Sequence, residues 1–295
     1  MTNIHSTSTL GPVFIGLPLW QHSSWPKRWF ANRSTTQLAD YALQLNSIEG
    51  NTTFYHLPST STVDNWAAVT PANFRFTFKF HSDISHKNTL QHCDNMVTQQ
   101  LNLLARLEHR LGQLMLQLPA GFGPDQLPRL EAFLKRLSPA FTYAAEVRHQ
   151  VFFAKGEEEK ALNRLLIDQG VNRVIMDTRA LFKGPVDNDI TAEVRTKKPR
   201  VSVNVIVTAN QPVMRFVGNN NNDDNAACLQ PWIDKCQLWR QQGKSCYLFF
   251  HRPDNQHAPW LAQQFISSYN QRYPQTPLPA LSFAPQQDDL QSQLF

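Results

Sequence analysis

The sequence predicts a single α/β domain, a (β/α)8 TIM-barrel-like fold, on three observations. Short runs rich in β-branched and aromatic residues alternate with amphipathic runs of helical period, at about 30 residues per repeat. Eight such units over roughly 250 residues is the arithmetic of a closed parallel barrel. The first turn, Gly16-Leu17-Pro18-Leu19-Trp20, lacks the GxGxxG that a doubly wound open sheet, the runner-up, would usually bring.

In chain order, strands are expected at 13–18, 47–55, 74–80, 111–119, 143–149 and 171–178, then within 201–217, and last at 245–251. The seventh has two candidates, 201–207 and 213–217. We favour 213–217 and read the other as an extra strand or an approach segment. Helices are expected at 36–46, 89–110, 124–137, 157–169, 226–242 and 258–273. Pro124 and Pro259 stand where a first helical turn accepts proline. The barrel spans 12–275. Residues 1–11 are polar and aperiodic, and residues 276–295 read as a flexible tail of prolines, glutamines and paired aspartates. Residues 219–225 form a loop within the domain.

Composition narrows the function classes. The 295 residues are 41% hydrophobic and 17% charged, with 19 Phe, 7 Trp and 6 Tyr, which excludes a disordered or collagen-like chain. No apolar run approaches the ~18 residues of a membrane helix, and the first residues have no secretory pattern. Four cysteines (Cys93, Cys228, Cys236, Cys246) fall in no CxxC pair, which suits reduced thiols in a cytoplasmic protein. A net charge of +5 leans toward anionic partners.

Strand parity indicates what points inward. Phe74, Phe76, Phe78 and Phe80 share a face that must meet helices, so Arg75, Thr77 and Lys79 face the lumen. The same argument groups Glu49 with Asn51 and Thr53, Met115 with Gln117, Glu146 with Arg148, and Arg173 with Ile175 and Asp177. Barrel interiors are normally apolar. Here Asn51, Lys79, Gln117, Arg148, Asp177, Arg215 and His251 all fall at or near C-terminal strand ends, where barrel active sites sit. Three acids (Glu49, Glu146, Asp177) meet five bases (Arg75, Lys79, Arg148, Arg173, Arg215). The surplus is positive, and a missing small anionic ligand would balance it. The alternative is an internal salt-bridge network that only braces the barrel. Glu49 and Glu146, from opposite strands, are the candidate acid–base pair, the kind a hydrolase or lyase employs.

Other chemistries are weaker. His81, His86 and His92 near Cys93 and Asp94 match no zinc spacing and read as surface or capping residues. A divalent ion on Glu49, Glu146 and Asp177 is only weakly supported because cations crowd them, so no metal is assigned and the cofactor is left open. No GxSxG occurs. Cys228 and Cys236, eight apart on one helix, read as core packing. The loop Gly218-Asn219-Asn220-Asn221-Asn222 lies where many barrels bind phosphate. The run Lys197-Lys198-Pro199-Arg200 reads as a solvated loop.

These segments resemble the YecE-like family, a domain of unknown function numbered 72. The residues carrying the resemblance are Ile48-Glu49-Gly50-Asn51-Thr52-Thr53-Phe54-Tyr55 with Leu57-Pro58, Phe74-Arg75-Phe76 and Lys79 with Ser85-His86, and Leu116-Gln117-Leu118-Pro119. Glu146-Val147-Arg148-His149 and Arg215-Phe216-Val217-Gly218 complete it. They span nearly the whole chain. The resemblance implies a TIM-barrel-like fold in a bacterial cytosolic protein and no established reaction. It places His149 and Gly218 beside the strand-end residues as candidate ligand contacts. Val217 stands where the family often shows His, and Val151-Phe152-Phe153 where a Trp is usual.

The chain ends in Gln291-Ser292-Gln293-Leu294-Phe295, which resembles the peptide that binds the bacterial DNA sliding clamp. There Leu294 and Phe295 would fill an apolar pocket while Gln291 hydrogen-bonds at its rim. Two functions are therefore expected from this sequence. One is an enzyme acting on an anionic, phosphorylated or nucleic-acid-derived ligand at the barrel mouth. The other is a DNA-maintenance accessory factor recruited through the tail.

Overall fold

The structure, a computed structural model, describes residues 9–26, 28–30 and 36–283. Eight strands are present: β1 Val13–Gly16, β2 Ser47–Gly50, β3 Arg75–Lys79, β4 Leu111–Gln117, β5 Tyr143–Glu146, β6 Asn172–Asp177, β7 Val213–Val217 and β8 Cys246–His251. All are parallel, in the order β1-β8-β7-β6-β5-β4-β3-β2, so the sheet curls until β1 and β2 face each other. The fold is thus a nearly closed (β/α)8 barrel. The helices that follow the strands are α1 Gln37–Ala42, α2 Thr52–Tyr55, α3 Thr60–Val69, α4 Asp94–Leu104, α5 Leu127–Arg136, α6 Glu157–Asp168, α7 Asp189–Lys197, α8 Asn222–Gln241 and α9 Ala258–Arg272.

At the β1–β2 seam no ladder forms among the described residues. A side chain substitutes for it. Asn46 Nδ2 donates to the Val13 carbonyl at 2.8 Å, and its Oδ1 accepts from the Ile15 N–H at 2.8 Å. Higher up, the Glu49 N–H donates to the Leu17 carbonyl at 3.0 Å. The backbones run so close that a Cβ added to Gly16 would lie 2.5 Å from the Ser47 carbonyl oxygen, so only glycine fits there.

Two apolar layers hold the barrel. Between strands and helices, Phe74, Phe76, Phe78 and Phe80 are fully buried, and Trp66 of α3 stacks on Phe78 with centroids 5.2 Å apart. Inside, Phe14, Met115, Ala144, Val174, Val213, Tyr247 and Phe249 plug the lower lumen. Above that plug the lumen turns polar, and there the site lies.

Several elements differ from expectation, each for a physical reason. The second strand stops at Gly50. Asn51 Nδ2 donates to the Glu49 carbonyl at 3.3 Å and to the Pro18 carbonyl at 2.9 Å, so the chain turns into α2 rather than continuing. The seventh strand is Val213–Val217, and 201–207 is not a strand. A strand needs a free edge, and both edges of β6 are taken by β5 and β7. The segment is instead tied by side chains. Asn204 Nδ2 donates to Glu159, and Thr208 Oγ1 accepts the Arg173 N–H at 2.7 Å. Residues 276–283, assigned to the tail, lie on the barrel. Asn270 brackets Leu278 with two hydrogen bonds, and Phe283 packs edge-on to Trp29.

The parity of β6 is opposite to that expected. Val174 faces the lumen, and Arg173 and Asp177 face the helices. Each finds a buried partner there. Arg173 pairs with Glu159 of α6 at 2.8 Å, while Asp177 takes Arg179 and the Trp232 Nε1–H of α8. Charge on a strand marks the lumen only when the helix layer offers no counter-charge.

Candidate functional site

The C-terminal mouth holds a cavity of about 830 Å3, within the size range of small-molecule sites. Six cationic side chains line it (Lys79, Arg148, Lys197, Lys198, Arg215 and Arg252), and among the described residues no carboxylate does. Trp20, Phe54 and Tyr55 form an aromatic wall, and Val194 and Val217 add apolar surface.

The carboxylates lie beneath this floor. Arg215 of β7 sits at the centre, donating from Nε and Nη2 to the two Glu49 oxygens at 2.7 and 2.8 Å and from Nη1 to Glu146 Oε2. Arg148 donates to Glu146 Oε1 at 2.8 Å. Lys79 donates to Gln117 Oε1 at 2.7 Å, reaches Glu49 at 3.8 Å, and lies over the Phe54 ring. His251 Nε2 is 3.0 Å from Glu49 Oε2. Glu49, Glu146 and Arg215 are buried.

Burial alone would raise the Glu146 pKa. Arg215, then Arg148 and Lys79, outweigh it and hold the carboxyl at about 2. Arg215 and His251 likewise hold Glu49 well below the carboxylate range against its burial. Both acids are therefore ionised, covered and hydrogen-bonded to arginine. A general acid must carry a proton near neutrality, and neither does. Their geometry fits counter-ions better than the acid–base pair expected from the sequence.

The lysine pKa values also fall, which for an amine favours the neutral form. Burial and the charge of Arg215 bring Lys79 down to about 8, with Glu49 and Glu146 opposing. The same two causes bring Lys198 down to about 7. Burial carries His251 to about 4, so its ring is neutral. Proton-exchanging groups at neutral pH are thus amines, not carboxyls.

Of the residues expected from the sequence, Asn51, Lys79, Gln117, Arg148, Arg215 and His251 converge on the cavity. Glu49 and Glu146 lie in the lumen below it. Three others lie apart. Asp177 is on the outer face of β6. His149 turns to cap its own loop, with Nδ1 3.4 Å from the Val151 N, and packs on Phe152. Gly218 is packed against Asn225, whose Oδ1 would be 2.5 Å from an added Cβ. In the expected phosphate-binding loop, three backbone N–H groups are already taken. The Gly218 N–H is used by the His251 carbonyl, that of Asn219 by Asn225 Oδ1, and that of Asn221 by Asn219 Oδ1. Gln291, Leu294 and Phe295 lie outside the described residues. Among the described residues no three His, Cys, Asp or Glu side chains are grouped to hold a metal, and the four cysteines are buried and unpaired.

Lys198 was not expected here. Helix α7 ends at it because Pro199 follows, and a residue before proline is pushed out of the helical region; Lys198 has φ −108° and ψ 137°. Thr178 Oγ1, just past β6, then donates to the Pro199 carbonyl at 3.0 Å. Lys198 is therefore half-buried at the edge of the mouth, while Lys197 and Arg200 beside it remain exposed, as a solvated loop would. A Lys-Pro pair closing a helix was the available local signal; its distance from the barrel was not.

Comparison with known proteins gives a consistent picture. The family described as "Protein of unknown function DUF72" matches residues 14–287. The UPF0759 protein YecE of Escherichia coli K12 is 41% identical over 278 residues, covering 94% of this chain and 99% of that protein. A DUF72 family structure from Enterococcus faecalis superposes with a TM-score of 0.67 at 21% identity, over 93% of this chain and 99% of the other. One from Thermotoga maritima gives 0.63 at 18% identity, over 87% and 98%. At that identity the two structures speak for the fold. No helix among the described residues is long and apolar enough to cross a membrane.

Proposed function

The chain belongs to the DUF72 family, and from that premise we propose that its barrel mouth binds a small organic anion. The observation that carries this reading is the cavity lining of six cations and no carboxylate. Glu49, Glu146 and Glu193 offset part of this charge from outside the lining, and a bound anion would supply the rest. Lys79 and Arg148 would hold the anionic group, with Lys198 beside them on the same cavity wall. Trp20, Phe54 and Tyr55 would take the apolar or ring-bearing body of the ligand.

This reading makes a measurable prediction. A binding anion at 100 times its dissociation constant should stabilise the protein by about 2.7 kcal/mol. Thermal denaturation in phosphate, sulfate and sugar phosphates reads it, against a Lys79→Ala, Arg148→Ala, Lys198→Ala triple variant. Because an anion favours the protonated form of the Lys79 amine at about 8, binding should take up protons as pH approaches that value and weaken as pH rises through it. Calorimetry in two buffers of different ionisation enthalpy measures that uptake. Equal shifts in wild type and triple variant would end the proposal.

A second reading rests on Gln291, Leu294 and Phe295, which match the sliding-clamp-binding pattern. A peptide of residues 285–295 should bind purified bacterial clamp in a fluorescence anisotropy titration, and Phe295→Ala should abolish it. Affinity weaker than about 1 mM, only ~4 kcal/mol, and indifferent to that change rejects recruitment.

A further inference from the structure

Among the six cations of the mouth, five have partners within the described residues. Arg215 holds both carboxylates, Arg148 holds Glu146, and Lys79 holds Gln117. Lys197 pairs with Glu193, and Arg252 donates twice to the Asn219 carbonyl. The Lys198 side chain makes no hydrogen bond or ion pair to a described residue. Its backbone is nonetheless fixed at the end of α7 and anchored through Pro199 to the top of β6. Val194 and Val217 line the same cavity. A fixed, unpaired amine, sharing a half-open cavity with Arg215 and Lys79, is in the setting that keeps lysine unprotonated and nucleophilic.

We propose that Lys198 is the nucleophile of this site, forming a Schiff base with the aldehyde or ketone carbonyl of an anionic ligand. The proposal rests on the anion-binding reading, because Lys79 and Arg148 would fix the anionic group while Lys198 meets the carbonyl. The groups facing Lys198 are Arg215 and Lys79, which favour the neutral amine, and Glu146 and Glu49, which oppose them. Burial, the charge of Arg215 and these others leave it at about 7, so a large share of the amine is free at neutral pH. The Nζ lone pair forms a bond to the carbonyl carbon, and the C=O π pair moves to oxygen. The two amine protons leave with that oxygen as water, and the C=N bond remains. No oxidant or metal enters the step. Glu49 and Glu146 take no part in it beyond holding Arg215.

The test uses the full chain and pyridoxal 5′-phosphate, a compound carrying both an aldehyde and a phosphate, with sodium cyanoborohydride to reduce the C=N bond. Peptide mass spectrometry should find Lys198 labelled at least tenfold faster than any other lysine. Its labelling should hold down to about pH 7, where ordinary lysines near 10.4 are protonated. Inorganic phosphate should slow it. Lys198→Arg should abolish that label while still being stabilised by phosphate, since it keeps the charge and loses the nucleophile. Labelling spread evenly over the lysines, or centred on Lys79, overturns the proposal. If phosphate protects thermally but Lys198 stays unlabelled, the nucleophile falls and the anion site stands. Lys198 labelling that phosphate does not slow supports the nucleophile and removes the anion site.

Discussion

Replacing Arg215 with methionine should destabilise the fold by about 3–5 kcal/mol, the usual cost of breaking a buried ion pair from one side. For a domain of this size that is a fall in melting temperature of roughly 6–20 °C. The cause is specific. Glu49 and Glu146 share this one guanidinium, and its loss leaves two buried charges with Lys79, Arg148, Lys198 and His251 as the nearby bases. The pH dependence should change sign with it. In the wild type, Glu146 is folded at about 2 against an ordinary 4.5, so its contribution is present above 4.5 and is lost as pH falls toward 2. In Arg215→Met, burial is no longer outweighed and the carboxyls are raised. Their protonated forms suit the fold, so the deficit should shrink as pH drops from about 7 to about 5. Denaturation midpoints at those two pH values measure it. A variant as stable as the wild type at neutral pH would show that the guanidinium does not hold this network together.

The second large effect is expected outside the lumen. Glu159 is buried and accepts from Arg173, from Asn204 and from the Lys155 N–H. Glu159→Leu should cost about 3 kcal/mol, near the lower end of the range for a broken buried pair, because Asn163 Oδ1 and the Phe152 carbonyl still accept from Arg173. The consequence reaches the mouth. Asn204 lies on the crossover that runs from Lys198 to β7, and freeing it should weaken phosphate protection although no cavity residue has changed. Asp64→Ala, which removes an exposed pair with Arg106, is the matched control and should alter neither property. Undiminished phosphate protection in Glu159→Leu would separate the crossover from the site.

The barrel was legible in the sequence because each strand carries its own alternation. Phe74–Phe80 shows it most plainly, with four rings on one face and Lys79 on the other. What was lost lay in pairings between distant segments. Arg173 and Asp177 looked inward only while their partners, Glu159 and Trp232, were unknown. Glu49 and Glu146 were correctly placed in the lumen. Nothing local showed that one arginine, 166 positions from Glu49, would chelate both and cover them. Lys198 was hidden for the same reason. A basic run beside a proline has the same composition in open solvent and over a cavity. Asn219 and its neighbours were overvalued because a flexible composition was read as a set of free N–H groups. The His251 carbonyl, Asn225 and the Asn219 side chain each claim one of those groups.

The seam between β1 and β2 bears on the mouth as well as on the wall. In topological terms the barrel is a ribbon with two loose selvedges, basted together by one asparagine side chain and the Glu49–Leu17 backbone bond. Glu49 belongs to both structures at once: its amide stitches β2 to β1, and its carboxylate is the clasp on Arg215 from the opposite wall. The charged cluster therefore serves as a girdle, drawn across the lumen at the height where the cloth is unsewn. The stitch in the wall and the clasp across the lumen thus meet in one residue, which ties the charged cluster to the least hydrogen-bonded part of the barrel.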